Sequence, residues 1–385
     1  MDMNTEQIRL LRPGEFEAAA ELADRVFRDA EHKSMGDAFP NAFSPALQQS
    51  YGAFADGKLV SFVGFVPSVI RIGEAELNVY SIGAVCTDPE YRGRGYVGTI
   101  LDMIREHSRR ARAPLILVSG NRGIYERFGC RKFGALTSFN ADQQSLDKLS
   151  AATDGEETYR PFDRADWFAL RKLSRSRNVG YEQSIWDLAA AIYAEPTASN
   201  AKLKHRVWVA ERDGAPVAFA VLAVAGDIAP LGKPRVIEWA GDAAAAVRLA
   251  VYGARAEGAE SLQFAVPWQD AGMEAVLAEA GCPAVPGKLT GTVAIVDAGE
   301  LLRQLTPYLK RKDEAALSRL QLSTNEDGRH FAEWDGVSME LQPEELISLL
   351  FDPVRIESAV PVPAAEAASR LFPVPLPLPS GLNFV

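Results

Sequence analysis

The sequence predicts a mixed α/β fold built twice in tandem, followed by a smaller α+β unit. Three observations carry this expectation. In residues 79–107, an apolar β-branched strand, a loop of glycines and arginines, and an amphipathic helix follow one another. Further on, Ala210-Glu-Arg-Asp213-Gly214-Ala-Pro-Val217-Ala-Phe219 has the same spacing as Ala53-Phe-Ala-Asp56-Gly57-Lys-Leu-Val60-Ser-Phe62, an internal repeat. Near residue 288 the pattern changes to one strand, a helix, a hairpin and another helix. At 385 residues the chain exceeds one ordinary core, so two or three domains are expected.

In chain order, 8–11 reads as a short strand. Pro13-Gly14-Glu15-Phe16 then opens a helix with Phe16, Ala20, Ala23 and Phe27 on one side. Residues 32–50 are polar with turn residues and are expected to form a mobile loop beside a substrate. A hairpin of 51–55 and 59–69 turns at Asp56-Gly57, and Gly73-Glu74 leads into a central strand over 79–86, closed by Thr87-Asp88-Pro89. The following helix carries Val97, Ile100, Leu101 and Ile104 at the spacing of one buried face. Residues 114–118 form a second buried strand, and Gly120-Asn-Arg-Gly123 opens a short helix holding Tyr125.

Between the central strand and its helix lies Arg92-Gly93-Arg94-Gly95-Tyr96-Val97-Gly98. A loop poor in β-carbons lets backbone N–H groups approach an anion, and the free amides of a helix start point at it. Two arginines add forked donors suited to phosphate oxygens. The loop therefore reads as a pyrophosphate cradle. A nucleotide kinase loop would end in Gly-Lys-Ser/Thr, which is absent, and a dinucleotide turn usually lies near the chain start. In the second copy, 236–239, 243–254 and 262–266 stand for the central strand, its helix and the next strand. There the cradle is reduced to Ala240-Gly241-Asp242, so this copy is expected to be structural.

Composition narrows the function classes. Hydrophobic content of 47% and charged content of 24% are those of a globular protein. A net charge of −10 disfavours nucleic acid as a partner. Cys86, Cys130 and Cys282 are scattered and fit a reducing compartment, the first two as buried small hydrophobes. No metal-ligand spacing is present. The charged N-terminus is no signal peptide and no run of 18 apolar residues exists, so a cytoplasmic protein without membrane contact is expected.

In the last part, 291–296 reads as a strand, Asp297 caps a helix with Leu301, Leu302 and Leu305, and 331–334 pairs with 337–341 around Asp335-Gly336. Pro343-Glu344-Glu345 starts a further apolar helix. Alternating prolines hold 372–385 extended, but the chain ends in Leu382, Phe384 and Val385. An apolar chain end is expected to be threaded into the protein.

The aliphatic strand followed by Asp-Pro-Glu-Tyr-Arg-Gly-Arg-Gly resembles the acyl-CoA loop of the GNAT N-acetyltransferases, whose Arg/Gln-x-x-Gly-x-Gly/Ala falls on Arg92-x-x-Gly95-x-Val97. With Gly123-Ile-Tyr125-x-Arg-Phe-Gly129, the tandem copies and the apolar end, the whole chain resembles the enhanced-intracellular-survival (Eis) type. The resemblance implies an N-terminal GNAT domain over 1–145 that binds acetyl-CoA, a second GNAT-like domain over 146–287 without the CoA loop, and a sterol-carrier-like domain over 288–385. It implies acetyl-CoA as co-substrate with no metal, contacted by Val85, Cys86, Thr87, Arg92, Gly93, Arg94, Gly95, Tyr96, Val97, Gly98 and Asn121. It also implies Tyr125 as general acid, the α-carboxylate of Val385 as general base, and a trimer-based homo-oligomer, commonly a hexamer. Phe384 stands where aminoglycoside acetylators carry an acid.

The implied chemistry is direct transfer of acetyl to a primary amine (an aminoglycoside, a polyamine or a lysine-like group). An alkylamine of pKa roughly 10.4 is about one part in a thousand neutral at pH 7, so a positioned base helps. Backbone N–H groups near Val85 to Thr87 are expected to hold the oxyanion. Asp24, Asp29 and Asp37 offer a place for a cationic acceptor. Two other readings remain: an acyl-CoA or lipid sensor with idle chemistry, and an aminoacyltransferase using charged tRNA, which the acidic balance disfavours.

Overall fold

The computed structural model describes residues 6–151, 157–356 and 364–385. The chain begins with β1 (Glu6–Leu10), α1 (Phe16–Phe27) and a single turn, α2 (Met35–Ala38). The hairpin β2 (Tyr51–Ala55) and β3 (Lys58–Ile72) leads into β4 (Ala75–Thr87), then α3 (Tyr96–Arg110), β5 (Leu115–Val118) and α4 (Gly123–Arg127). Next come β6 (Leu136–Ala141), α5 (Gln143–Ala151), β7 (Glu157–Pro161), α6 (Trp167–Ser176), β8 (Val179–Tyr181), α7 (Ile185–Ala194) and α8 (Pro196–Ser199). The second passage continues with β9 (Leu203–Arg212), β10 (Ala215–Ala225), β11 (Arg235–Gly241), α9 (Ala243–Ala256), β12 (Leu262–Pro267), α10 (Ala271–Glu279), β13 (Ala284–Gly287) and β14 (Thr292–Ile295). The remainder is α11 (Ala298–Leu317), β15 (Leu320–Thr324), β16 (His330–Trp334), β17 (Val337–Leu341), α12 (Pro343–Phe351), α13 (Ala365–Leu371) and an extended tail.

Two seven-stranded sheets follow the same plan. The first runs β1-β2-β3-β4-β5-β14 with β8 added to β3, and the second runs β7-β9-β10-β11-β12-β6-β13. The repeated segments form equivalent hairpins. Asp56-Gly57 and Asp213-Gly214 both take positive φ at both central positions, the twist that a two-residue hairpin favours. Each hairpin carries a bulge at the same place: Val60 is the extra residue of β3 and Val217 that of β10.

The sheets differ from the sequence expectation in their sixth strands. Residues 1–145 do not complete the first sheet, because β6 crosses to pair with β12, Phe139 opposite Phe264. In return β14, expected in the last part, pairs with β5, Val293 opposite Leu117. Alternating apolar residues tell which side chains point inward, but they do not name the edge a strand joins.

Residues 32–50 also differ. Met35, Ala38, Phe39, Ala42 and Phe43 are buried against α1 and β3, with Phe43 stacked on Phe62 at 4.8 Å between ring centroids. The polar residues interleaved with them hide a small core, so this segment is packed rather than loose.

The first sheet is covered on both faces. Ile116 and Val118 pack with Ile100, Leu101 and Ile104 of α3, while Leu115 and Leu117 face Leu301, Leu305 and Leu309 of α11. Phe372, Val374 and Leu376 of the tail join that second cluster and are almost fully buried. No helix among the described residues is long and apolar enough to cross a membrane.

Candidate active site

The site begins where two strands part. β4 and β5 pair in parallel only from Val79/Leu115 to Ile82/Val118, and β4 then runs on alone to Thr87. On its other edge the register with β3 slips, so Cys86 faces Phe62 and Gly83 faces Gly64. Ala84 and Val85 bulge between them, and Ala84 takes φ 52°, a conformation that costs an L-residue about 1–2 kcal/mol. The bulge sits at the mouth of the cleft, where β4 has no ladder partner from β5.

The chain terminus fills the other side of this bulge. A Cβ built on Gly83 would overlap the carboxyl carbon and oxygen of Val385, so glycine is required for the approach. The tail is tied in place from outside. Thr197 Oγ1 donates to the Ser380 carbonyl at 3.1 Å, Gln269 Nε2 donates to the Leu376 carbonyl at 2.8 Å, and Gln183 Nε2 donates to Asn383 Oδ1 at 3.1 Å. Leu382 is buried against the second sheet, and the Phe384 ring lies 6.1 Å from Phe39.

Tyr125, on α4, enters from the β5 side. Its ring lies against Gly120, where a Cβ would come within 2.9 Å, and 5% of the residue is exposed. Burial pushes its hydroxyl up to about 12, so it keeps its proton across the ordinary pH range. Tyr125, Gly83, Ala84, Val85, Phe384 and Val385 thus line one cavity of about 380 Å³. Arg28, His32 and Arg122 also line it, and no Asp or Glu of the described residues does.

The expected cradle is open and exposed. Gly93 and Gly95 take φ of 78° and 82°, and Gly95 is the N-cap of α3. No atom lies within 4 Å of a Cβ built at Gly93, Gly95 or Gly98, so the loop and first turn leave room for a bulky anion at free backbone amides. Arg92 is exposed, its Nε 3.4 Å from the Thr87 carbonyl. Arg94 lies over the Tyr91 ring and 3.7 Å from Glu6, so its guanidinium is partly engaged.

Several expected contacts are restricted to backbone. Tyr96 is buried and donates to Glu6 at 2.6 Å, Val97 packs on the α3 core, and Thr87 Oγ1 is held by Ser61 at 2.8 Å. The Cys86 thiol is buried towards α1, and burial pushes both it and Cys130 up to about 12, which leaves no reactive thiolate. Asn121 is exposed and lines a separate groove with Arg131, Lys132 and Glu344. The acidic residues proposed to receive a cation are occupied. Asp24 accepts the Met35 N–H at 2.6 Å, and Asp29 is paired with Lys202 and His32 and lies well below the usual carboxylate range. Asp37 belongs to the first turn of α2 and is not among the cavity's lining residues.

The second copy closes the equivalent loop. A Cβ at Gly241 would overlap the Val217 carbonyl oxygen, so that loop is closed against β10. Asp242 accepts the Ala245 N–H at 2.8 Å and sets its own carboxylate at the start of α9, where a phosphate would otherwise sit. Arg177, over the Trp239 ring at 5.1 Å, is wedged between Glu238 and Asp270. Burial pushes both carboxyls up while the guanidinium pulls them down. Sequence reading missed this trio; a glutamate inside the apolar strand around Ile237 was the available signal.

Residues 7–133 match the model of the acetyltransferase (GNAT) domain. Solved structures share the fold over nearly the whole chain. A GCN5-related N-acetyltransferase from Anabaena variabilis ATCC 29413 superposes with TM-score 0.67 at 12% identity, covering 97% of this chain and 99% of its own. A probable N-acyltransferase from Enterococcus faecalis V583 gives 0.62 at 14% identity, covering 88% and 86%. Eis1 from Mycobacterium abscessus gives 0.53 at 14% identity, covering 88% and 85%. At such identities these likenesses speak for the fold alone. No curated protein matches the sequence.

Proposed function

We propose, on the premise that this chain is an acyltransferase with a GNAT acetyltransferase domain over residues 7–133, that it moves acetyl from acetyl-CoA to a primary amine by direct attack in a ternary complex. The observation that carries the reading is the meeting of Tyr125 and the Val385 carboxylate in one cavity at the splayed end of β4. The cradle of Arg92 to Gly98 suits the pyrophosphate of CoA, and acetyl-CoA supplies the activated thioester. Its open glycines and free helix amides are the features that fit.

The chain's own residues then divide the work. The Val385 carboxylate takes a proton from the acceptor ammonium, which frees the amine lone pair to attack the thioester carbon. Backbone N–H groups at the Ala84–Val85 bulge face the oxyanion. As the C–S bond breaks, the sulfur leaves as a thiolate that accepts a hydrogen bond from the Tyr125 hydroxyl, and the acylated nitrogen gives its extra proton to solvent. Proton transfer from a phenol at about 12 to a thiolate of roughly 8.5 runs uphill, so hydrogen-bond donation carries most of its effect. Buried, protonated cysteines support direct transfer over an acetyl-cysteine intermediate.

The Eis-type assignment, the sterol-carrier-like reading of 288–385, the trimer-based assembly and the cytoplasmic setting belong to the same proposal and rest on the sequence resemblance. Among the described residues the cavity is lined by no Asp or Glu, and its one acid is the Val385 carboxylate, which favours an acceptor with a single amine over a polycation such as an aminoglycoside or polyamine. A non-catalytic acyl-CoA sensor is the alternative. Thiol release from acetyl-CoA across a panel of amines decides between them: release that depends on the amine supports transfer, and CoA binding without release supports the sensor.

A further inference from the structure

Beside the catalytic cavity lies a larger one, of about 620 Å³, and the two share Asn200 and Phe384 in their walls. Its floor is the open face of the second sheet. Arg235 of β11, Gln263 of β12 and Asn140 of β6 stand in direct register across three neighbouring strands. Cross-strand partners share a face about 4.8 Å apart, so the three form a polar row. Ile237, Ala265 and Ser138 continue this face, and Leu378 and Ser380 of the tail roof it.

Two atoms of the row are unmatched. Arg235 Nε and Asn140 Oδ1 are buried without a hydrogen-bond partner. No carboxylate of the described residues pairs with Arg235, whereas most arginines around it are paired. Burial alone pulls its pKa down, with no neighbouring charge holding it up. Arg235 is half-buried with its Nε fully enclosed, and a guanidinium drawn partly out of water without a counter-ion is costly unless a ligand supplies one. A single cation suits a monoanion better than a doubly charged phosphate, and the guanidinium fork matches a carboxylate. The neighbouring Asn140 oxygen calls for a donor on the same ligand.

We propose that this cavity receives the far end of the acceptor, and that the acceptor is an amine bearing a carboxylate, held by Arg235 with its apolar body against Ile237, Ala265 and Leu378. The inference rests on the acetyl-transfer reading for its choice of acceptor, but the anion site stands on its own geometry.

The test uses the full chain and two matched probes, 6-aminohexanoate and 6-aminohexanamide. Calorimetry without acetyl-CoA measures binding, and thiol release with acetyl-CoA measures turnover. The wild type is expected to favour the carboxylate at least tenfold in Kd and in KM, and Arg235→Gln to abolish that preference, with Arg235→Lys restoring part of it. Equal affinity for both probes in the wild type, or a preference that survives Arg235→Gln, overturns the proposal. A carboxylate preference that Arg235→Gln removes, without turnover of any amine, keeps the anion site and overturns the transfer reading. Circular dichroism of each variant checks folding.

Discussion

Gly83 and Val385 meet where a side chain is missing: a Cβ on Gly83 would overlap the terminal carboxyl of Val385 and crowd its Cγ1. Gly83→Ala should therefore push the chain end out of the cleft while the sheet stays intact. Turnover is expected to fall about 100-fold, within the range of a lost general base, with CoA affinity changed little. Steady-state kinetics alongside CoA calorimetry check this, and wild-type turnover in the variant would end the assignment of the terminus.

The same carboxyl can be moved without touching the cleft. One glycine added after Val385 displaces the charge by one residue, about 3.5 Å of extended chain. Turnover should again drop about 100-fold, and amine-dependent thiol release at the wild-type rate would show that another group takes the proton.

Tyr125→Phe removes only a hydroxyl from a buried ring, so packing against Gly120 survives. The loss should appear in kcat, by about 10²-fold, with KM for acetyl-CoA held within a factor of three. A loss confined to KM would make Tyr125 a wall of the cavity and nothing more.

Gly95→Ala strains the N-cap of α3, whose φ of 82° costs an L-residue about 1–2 kcal/mol. The expected result is weaker CoA binding by roughly tenfold and a modest fall in stability. Unaltered CoA affinity, measured by calorimetry, would mean that this loop is not the cradle.

Two buried histidines set the acid limit. Desolvation pulls both His205 and His330 down to about 4. Unfolded, each takes a proton near 6.5, so the unfolded state binds more protons between pH 6.5 and 4 and stability falls as the pH drops through that window. Each contributes roughly 3 kcal/mol at most. Urea titrations at pH 7 and 4.5 should show the loss, and His205→Asn should flatten part of it; equal midpoints at both pH values would refute the assignment.

Much of this was legible in the sequence where the signal is local. The Asp-Gly pairs announced both hairpins, the glycine series announced an open loop at the start of α3, and the apolar ending 382–385 announced a chain end packed into the protein. What stayed hidden depends on partners distant in the chain. Nothing in Leu136 to Ala141 says that they pair with β12 rather than β5, and the polar residues between Met35 and Phe43 mask a core. Arg235 lies just before the strand expected over 236–239, and only the fold sets Gln263 and Asn140 alongside it.

The traded sixth strands have a consequence for how the molecule is made. A nascent chain that has just finished α4 holds β5 with a bare edge, and its covering strand, Thr292 to Ile295, is still to be translated. Meanwhile β6 waits for β12. The two passages therefore cannot mature one after the other, and neither half is a free-standing module. Cut between β6 and β7, each half carries a strand that the other half's sheet needs.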